Sequence, residues 1–340
     1  MEPEDQIIKQ ILKNFRKSNL HKNEFFESDS EIIQLGDKNY LITVDNYSDE
    51  DHFRIGNPYN LGMNLATCTL SDIFACGSKP LFFCNSLSKQ DNWNLKYIDL
   101  LSKGISHVLN ECNTGFVGGD IGISEKWNFT GIAIGESEKI ITRKGAKAGD
   151  LIFLTGDIGR GNFESASQLG KISSGLDSLF KANVVIFPVR IKESQLISKF
   201  ANCCIDTSDG LLKSLNIISE INNAGFIVSD IPYYSPGKLL TEKLKLPEEI
   251  LMFGETGEYE LLFTVSPDNE NTLLQDADLA NVHLRKIGLI TENSSKVLMK
   301  KNSKISLNDF DSWARNFKSH YEYLKSLTDY LNKKIQLKNE

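Results

Sequence analysis

Four short acidic segments lie far apart in this chain: Val44-Asp45-Asn46, Leu70-Ser71-Asp72, Gly118-Gly119-Asp120 and Asp206-Thr207-Ser208-Asp209-Gly210. Each follows or opens a plausible secondary element and reads as a loop with a short carboxylate beside a small or polar residue. A fold that gathered them would hold oxygen ligands for hard divalent cations, because Mg²⁺ takes carboxylate, water and phosphate oxygens. Such a fold could not leave the charges bare. Two like charges about 4 Å apart repel by roughly 4 kcal/mol at an effective dielectric near 20, so bound cations or raised pKa values would be needed. Taken singly, each aspartate also suits a helix N-cap or a turn. Asp206 or Ser208 could cap the helix that follows, Asp45 could form a turn at a strand end, and Gly118 and Gly119 could make a tight turn, approach a phosphate closely, or both.

The length of 340 residues allows two domains, and 40% hydrophobic with 24% charged residues fits a soluble globular protein. A net charge of −7 argues against a nucleic-acid binder working through a basic face. No apolar run is long enough to span a bilayer, so no membrane partner is expected. The acidic start, Met1-Glu2-Pro3-Glu4-Asp5, does not read as a secretory signal. Six cysteines without a Cys-x-x-Cys pair read as buried, reduced thiols of a cytoplasmic protein, and the five scattered histidines show no zinc spacing.

Apolar spacing predicts helices over residues 4–17, 59–76, 94–111, 190–200 and 208–222, and a polar helix over about 307–334. Strands are expected at 39–45, ending on Asp45, and at 81–84, 128–135, 151–156, 203–206, 259–265, 283–290 and 295–299. A polar, glycine-bearing link near residue 145 separates two strand-and-helix series. The expected organisation is an N-terminal helix (1–23), a first domain (24–145), a second domain (146–306) and a helical tail (307–340).

Five motifs in order, from about residue 24 to 317, resemble the thiamine-monophosphate kinase family of the aminoimidazole ribonucleotide synthase-like superfamily. They are Leu70-Ser71-Asp72-Ile73-Phe74-Ala75-Cys76-Gly77, Gly118-Gly119-Asp120, the run from Thr142 to Asp150, Ile205-Asp206-Thr207-Ser208-Asp209-Gly210-Leu211, and Tyr259-Glu260-Leu261-Leu262-Phe263-Thr264. The resemblance implies an α/β (α+β) two-domain fold whose first domain lends strands to a dimer barrel, a homodimer, and ATP in the cleft. It implies transfer of the ATP γ-phosphoryl group to a phosphate monoester, by default thiamine monophosphate. By the same carry-over Asp45, Asp72, Asp120, Asp206 and Asp209 hold Mg²⁺, Arg143 touches ATP phosphates, and Asp120, Gly118, Gly119 and Ser208 border the nucleotide. Asp209 and Arg143 take the catalytic roles. This agrees with the residue inventory, since phosphoryl transfer asks mainly for positioning and charge neutralisation. The chain has no Walker Gly-x-x-x-x-Gly-Lys-Ser/Thr loop, so ATP binding would rest on the carboxylates.

The chain departs from the family pattern at several points. Where the family has Gly-Asp-Asp-Ala-Ala, it reads Glu27-Ser28-Asp29-Ser30, leaving Asp29 as one candidate metal ligand and Ser28 in place of another. Glu255-Thr256-Gly257-Glu258 stands for Gly-Gly-Glu-Asp near the acceptor, with Glu258 as a candidate substrate contact. His52 lies in an acidic loop that could border the acceptor or simply be solvated, and Phe310 and Trp313 could stack on a flat ring or pack in the core. These changes keep two alternatives open: a kinase or synthase of the superfamily with another small-molecule acceptor, or a nucleotide-binding paralogue without catalysis.

Overall fold

Residues Asn128–Ser137 alternate between half-buried and buried along most of their length, as a strand does when one face of its sheet is covered. The structure, a computed structural model, describes residues 4–168, 175–300, 303–308 and 317–336. The first half contains α1 (Glu4–Leu12), β1 (Glu31–Leu35), β2 (Lys38–Ser48), α2 (Pro58–Ala75), β3 (Lys79–Gln90), α3 (Leu95–Glu111), β4 (Gly115–Ser124) and β5 (Asn128–Ser137). Its sheet runs β1-β2-β5-β3-β4, antiparallel except for the parallel β3–β4 pair.

The covering element is α2. Asn57 caps it by accepting from the backbone N–H groups of Tyr59 and Asn60, and Pro58 supplies a preset φ at the first helical position. Nearly every residue from Leu61 to Ala75 is buried. A helix apolar on all sides needs partners on all sides. Here β2, β3 and β5 lie on one flank, with α3, α6 (Ile191–Phe200), β7 (Ala201–Asp206) and β9 (Leu261–Val265) around the rest. The helix therefore packs against both halves of the molecule.

The second half adds β6 (Leu151–Leu154), α4 (Arg160–Gln168), α5 (Asp177–Ala182), α7 (Leu211–Ile221), β8 (Gly225–Val228), α8 (Ser235–Leu244), α9 (Ile250–Phe253), α10 (Glu270–Ala280), β10 (Arg285–Thr291), β11 (Lys296–Lys300), β12 (Ser303–Ser306) and α11 (His320–Gln336). Its sheet runs β12-β11-β8-β10-β6-β9-β7. The link near residue 145 is pinned by Asn222 at the end of α7. Its Oδ1 accepts from the N–H groups of Gly145 and Ala146, and its Nδ2 donates to the Arg143 carbonyl.

Several expected boundaries move. α1 stops at Leu12 rather than running to residue 17. β2 continues three residues past Asp45, and β3 is a strand of 12 residues instead of a short one. Of the helix expected over about 307–334, α11 forms from His320 to Gln336, and residues 309–316 lie outside the described residues. Among the described residues no helix is long and apolar enough to cross a membrane, and all six cysteines are free.

Candidate active site

Ser71 and Asp72 sit at the C-terminal end of α2, so Asp72 is a helical residue and not a loop aspartate. The two neighbours work on different partners. Ser71 Oγ donates to Asp206 Oδ2 at 2.7 Å, and Asp72 accepts from the Thr43 hydroxyl of β2. The helix comes this close to the sheet because Gly131 lies beneath it: a Cβ there would be 2.1 Å from Thr69 Oγ1. Asp206, at the end of β7, also accepts from Ser208, through its N–H at 3.2 Å and its hydroxyl at 2.7 Å. Asp29, just before β1, completes a trio: Asp29, Asp72 and Asp206 each place a carboxylate oxygen within 4.8 Å of the others.

Asp45 is electrostatically part of this group. It lies in the middle of β2, paired with Gly131 of β5, and not at a strand end. Burial, then the charges of Asp206 and Asp29, push its pKa up to about 8. Burial, then Asp45, Asp206 and Asp29, raise Asp72 well above the usual carboxylate range. Asp206 rises to about 6, since the hydrogen bonds from Ser208 and Ser71 offset part of the effect of burial and Asp29. The Oδ2 atoms of Asp29 and Asp45 are buried without a hydrogen-bond partner. Buried orphaned oxygens in an all-carboxylate set are what a hard, oxygen-seeking cation would satisfy.

Arg143 enters from the link. Its Nη2 donates to Asp29 Oδ1 at 2.9 Å, and its N–H donates to the Glu27 carbonyl. The Asp29 side chain is only 1% exposed. Burial works against the guanidinium charge, but Asp29, then Asp72 and Asp206, outweigh it and raise the Arg143 pKa. Its Nε has no partner.

Two of the expected ligands stand apart. Asp120 belongs to strand β4, in the row Asn46, Thr130, Ser86, Asp120, whereas Asp45 shares the adjacent row with Gly131, Asn85 and Gly119. Successive rows point to opposite faces of a sheet. Asp120 is thus exposed on the face away from α2 and does not join the trio within one chain. Gly118 and Gly119 do not form a turn. They sit at a β-bulge where Val117 is left unpaired; Gly118 has φ +132°, and a Cβ on Gly119 would be 2.2 Å from the Asn85 carbonyl. Asp209 is half-exposed, and its Oδ2 pairs with Lys213 Nζ at 2.6 Å.

Asp209 faces a cleft of about 450 Å³ that is also lined by Ser208, whose hydroxyl donates to Asp206. His52, Lys213, Glu255 and Tyr259 also line it. One wall is aromatic: Phe53 meets Phe187 edge-on at 6.2 Å, and Phe187 meets Tyr259 at 4.8 Å. His52 closes a 3-10 turn with φ 56°, and burial lowers its pKa against the pull of Asp49 and Glu50. A larger cleft of about 670 Å³, lined by Lys38, Lys79, Glu136 and Ser198, lies against α6 and touches none of the candidate residues.

Glu258 departs from the expected substrate contact. It is fully buried, and its carboxylate accepts from the N–H groups of Gly159 and Gly161 and from Asn162 Nδ2, at 2.8, 3.1 and 3.0 Å. It thereby closes the start of α4, where free N–H groups and the helix dipole favour an anion. Burial raises its pKa to about 7, against those hydrogen bonds. Glu258→Gln should turn an amide donor toward these donors and cost about 1–3 kcal/mol. A lower melting temperature with an unchanged acceptor KM is the expected result; a raised KM at unchanged stability would return Glu258 to the substrate. Phe310 and Trp313 lie outside the described residues.

Thr43 and Lys213 were not anticipated, and neither was the Phe53–Phe187–Tyr259 wall. A threonine two residues before Asp45 on the same strand face was the available signal for Thr43. The remainder depend on contacts between segments remote in sequence.

Residues 27–136 match the family described as AIR synthase related protein, N-terminal domain. A thiamine-monophosphate kinase of Pyrococcus horikoshii is 30% identical over 272 residues, covering 78% of this chain and 83% of that protein. One from Archaeoglobus fulgidus is 29% identical over 246 residues, covering 71% and 79%. Among solved structures, AaThiL complexed with AMPPCP and TMP superposes with a TM-score of 0.73 at 23% identity, covering 90% of this chain and 97% of its own. That likeness shows a shared aminoimidazole ribonucleotide synthase-like α/β fold.

Proposed function

Because this chain belongs to the thiamine-monophosphate kinase family, we infer that it transfers the γ-phosphoryl group of ATP to thiamine monophosphate, forming thiamine diphosphate. The observation that carries this reading is the convergence of Asp29, Asp45, Asp72 and Asp206, from four separate segments, beside a cleft with an aromatic wall.

Mg²⁺ is the proposed cation, held by Asp29, Asp72 and Asp206 with Asp45 alongside. Bound there, it would neutralise phosphate charge during an in-line displacement. The chain's own residues do the positioning. Thr43 fixes the Asp72 carboxylate, and Ser71 and Ser208 fix Asp206. Arg143, its backbone N–H anchored on the Glu27 carbonyl and its Nη2 on Asp29, brings a guanidinium beside the carboxylates that suits phosphate oxygens. No general base is required, because the attacking oxygen belongs to an already ionised phosphate monoester. Phe53, Phe187 and Tyr259 offer ring edges and faces to a flat heteroaromatic acceptor. Incubation with Mg·ATP and thiamine monophosphate should yield thiamine diphosphate and ADP in equal amounts. Absence of the diphosphate, with ATP still bound, would move the acceptor elsewhere in the superfamily.

We also propose a homodimer formed through the outer face of the first sheet. Two apolar rows lie there: Ile42, Ile134 and Phe82, and beside them Val44, Ile132 and Cys84. Val44 and Phe82 are exposed, and such a patch marks an interaction surface. Val44→Arg is expected to yield single chains by light scattering where the unaltered protein gives pairs. Unchanged mass in the variant would place the interface elsewhere. Burial raises the pKa of Cys76, Cys112 and Cys203 to about 12, which suits inert thiols in a reducing, cytoplasmic setting.

A further inference from the structure

Lys213 occupies the third position of α7, where the positive end of the helix dipole disfavours a cation. Its side chain is only 16% exposed, so it gives up hydration as well. One compensation is the Asp209 pair at 2.6 Å. A second is the setting. Lys213 is the one lysine or arginine among the described residues lining the cleft, whose other side chains include Glu50, Asp51, Asp209 and Glu255, while Glu164 is paired with Arg54 at 2.9 Å. A phosphate monoester carries up to two negative charges and could not enter that wall of carboxylates without a fixed cation opposite it.

We propose that Lys213 binds the phosphate of the acceptor, sharing its amine between that phosphate and Asp209. The inference rests on the phosphotransferase reading for the identity of the anion. An ammonium has three donors and suits two anions at once. Asp209 aims the amine before the acceptor arrives. A cation at Asp209 would release the share of the amine that Asp209 takes, so the assignment does not depend on how Asp209 is used. The nucleotide's phosphates belong with Arg143 and the buried trio, on the other side of Ser208.

The test is calorimetric titration of thiamine monophosphate into the full-length protein with Mg²⁺ and a non-hydrolysable ATP analogue. Lys213→Met should weaken binding by about 10- to 100-fold, with Lys213→Arg recovering most of the loss. Lys213→Gln serves should the methionine variant not fold. Nucleotide affinity should stay within about twofold. The double variant Asp209→Asn with Lys213→Met separates contact from indirect effects. Loss that persists in the double variant supports phosphate contact, whereas recovery to unaltered affinity would show that Lys213 only neutralises Asp209 and would overturn the proposal. A Lys213→Met affinity equal to that of the unaltered protein overturns it as well, as does an unaltered protein that binds neither thiamine monophosphate nor inorganic phosphate. If the unaltered protein binds thiamine monophosphate but releases no ADP, the kinase reading fails while the Kd ratio still decides the role of Lys213.

Discussion

Asp72→Asn is expected to lower thiamine diphosphate formation by about 10²- to 10³-fold or more, while the protein without metal becomes no less stable at pH 8. The two halves of this result have one cause. Asp72 is buried among three other aspartates, and folding has already raised its pKa well above that of a free carboxyl. Asparagine has the same shape and keeps a carbonyl oxygen to accept from Thr43. It removes one buried charge at high pH and with it the repulsion from Asp45, Asp206 and Asp29. The same change removes an anionic ligand from the proposed cation site. Steady-state rates, with melting curves recorded at pH 8 without Mg²⁺, check both halves. A variant that keeps full activity, or that unfolds where the parent does not, would remove Asp72 from the proposed site or assign it a structural role.

The second large effect is on stability against pH. Asp45 is raised to about 8, Asp206 to about 6, and Asp72 well upward. A carboxyl whose pKa is higher in the folded state holds its proton more tightly there than in the unfolded chain. Its contribution is complete below the unfolded value, near 4, and is lost as pH rises through the folded value. The metal-free protein should therefore lose stability between about pH 5 and pH 8.5 through this group. Mg²⁺ competes with the protons and restores it. A cation present at about 100 times its Kd adds roughly 2.7 kcal/mol. In a chain of this size that is a rise of at least several degrees, large at pH 8 and small at pH 5. Calorimetric melting with and without Mg²⁺ across this range is the check. Equal Mg²⁺ stabilisation at both ends would mean that these carboxyls are not the ones binding it.

The sequence made the Asp206 loop legible because its features are local. Strand β7 ends, Ser208 and Gly210 follow, and α7 begins, so the carboxylate is displayed where a loop was expected. Asp45 reads as a strand-end residue but lies in mid-strand. A charged residue in mid-strand looks like a strand end until Gly131, Thr69 and α2 show what buries it. Asp120 stands apart from the trio within one chain for the converse reason. Strand alternation puts it and Asp45 on opposite faces, and that parity depends on the bulge at Gly118, which a glycine pair alone does not reveal. Glu258 looked like an acceptor residue by its position in a motif. Its partners, Gly159 and Gly161, lie almost a hundred residues earlier, and only folding shows that both carboxylate oxygens are engaged. Lys213 was hidden because its significance comes from the cleft it faces.

In this reading, carboxylates from distant segments grip the nucleotide's phosphates through bound cations. Crystals grown with Mn²⁺ and a non-hydrolysable ATP analogue test it most directly, by anomalous scattering. Metal peaks are expected about 2–2.3 Å from oxygens of Asp72 and Asp206, with Asp29 or Asp45 and the analogue's phosphates completing the shell. An analogue bound elsewhere, or metal peaks that avoid these four side chains, would contradict it.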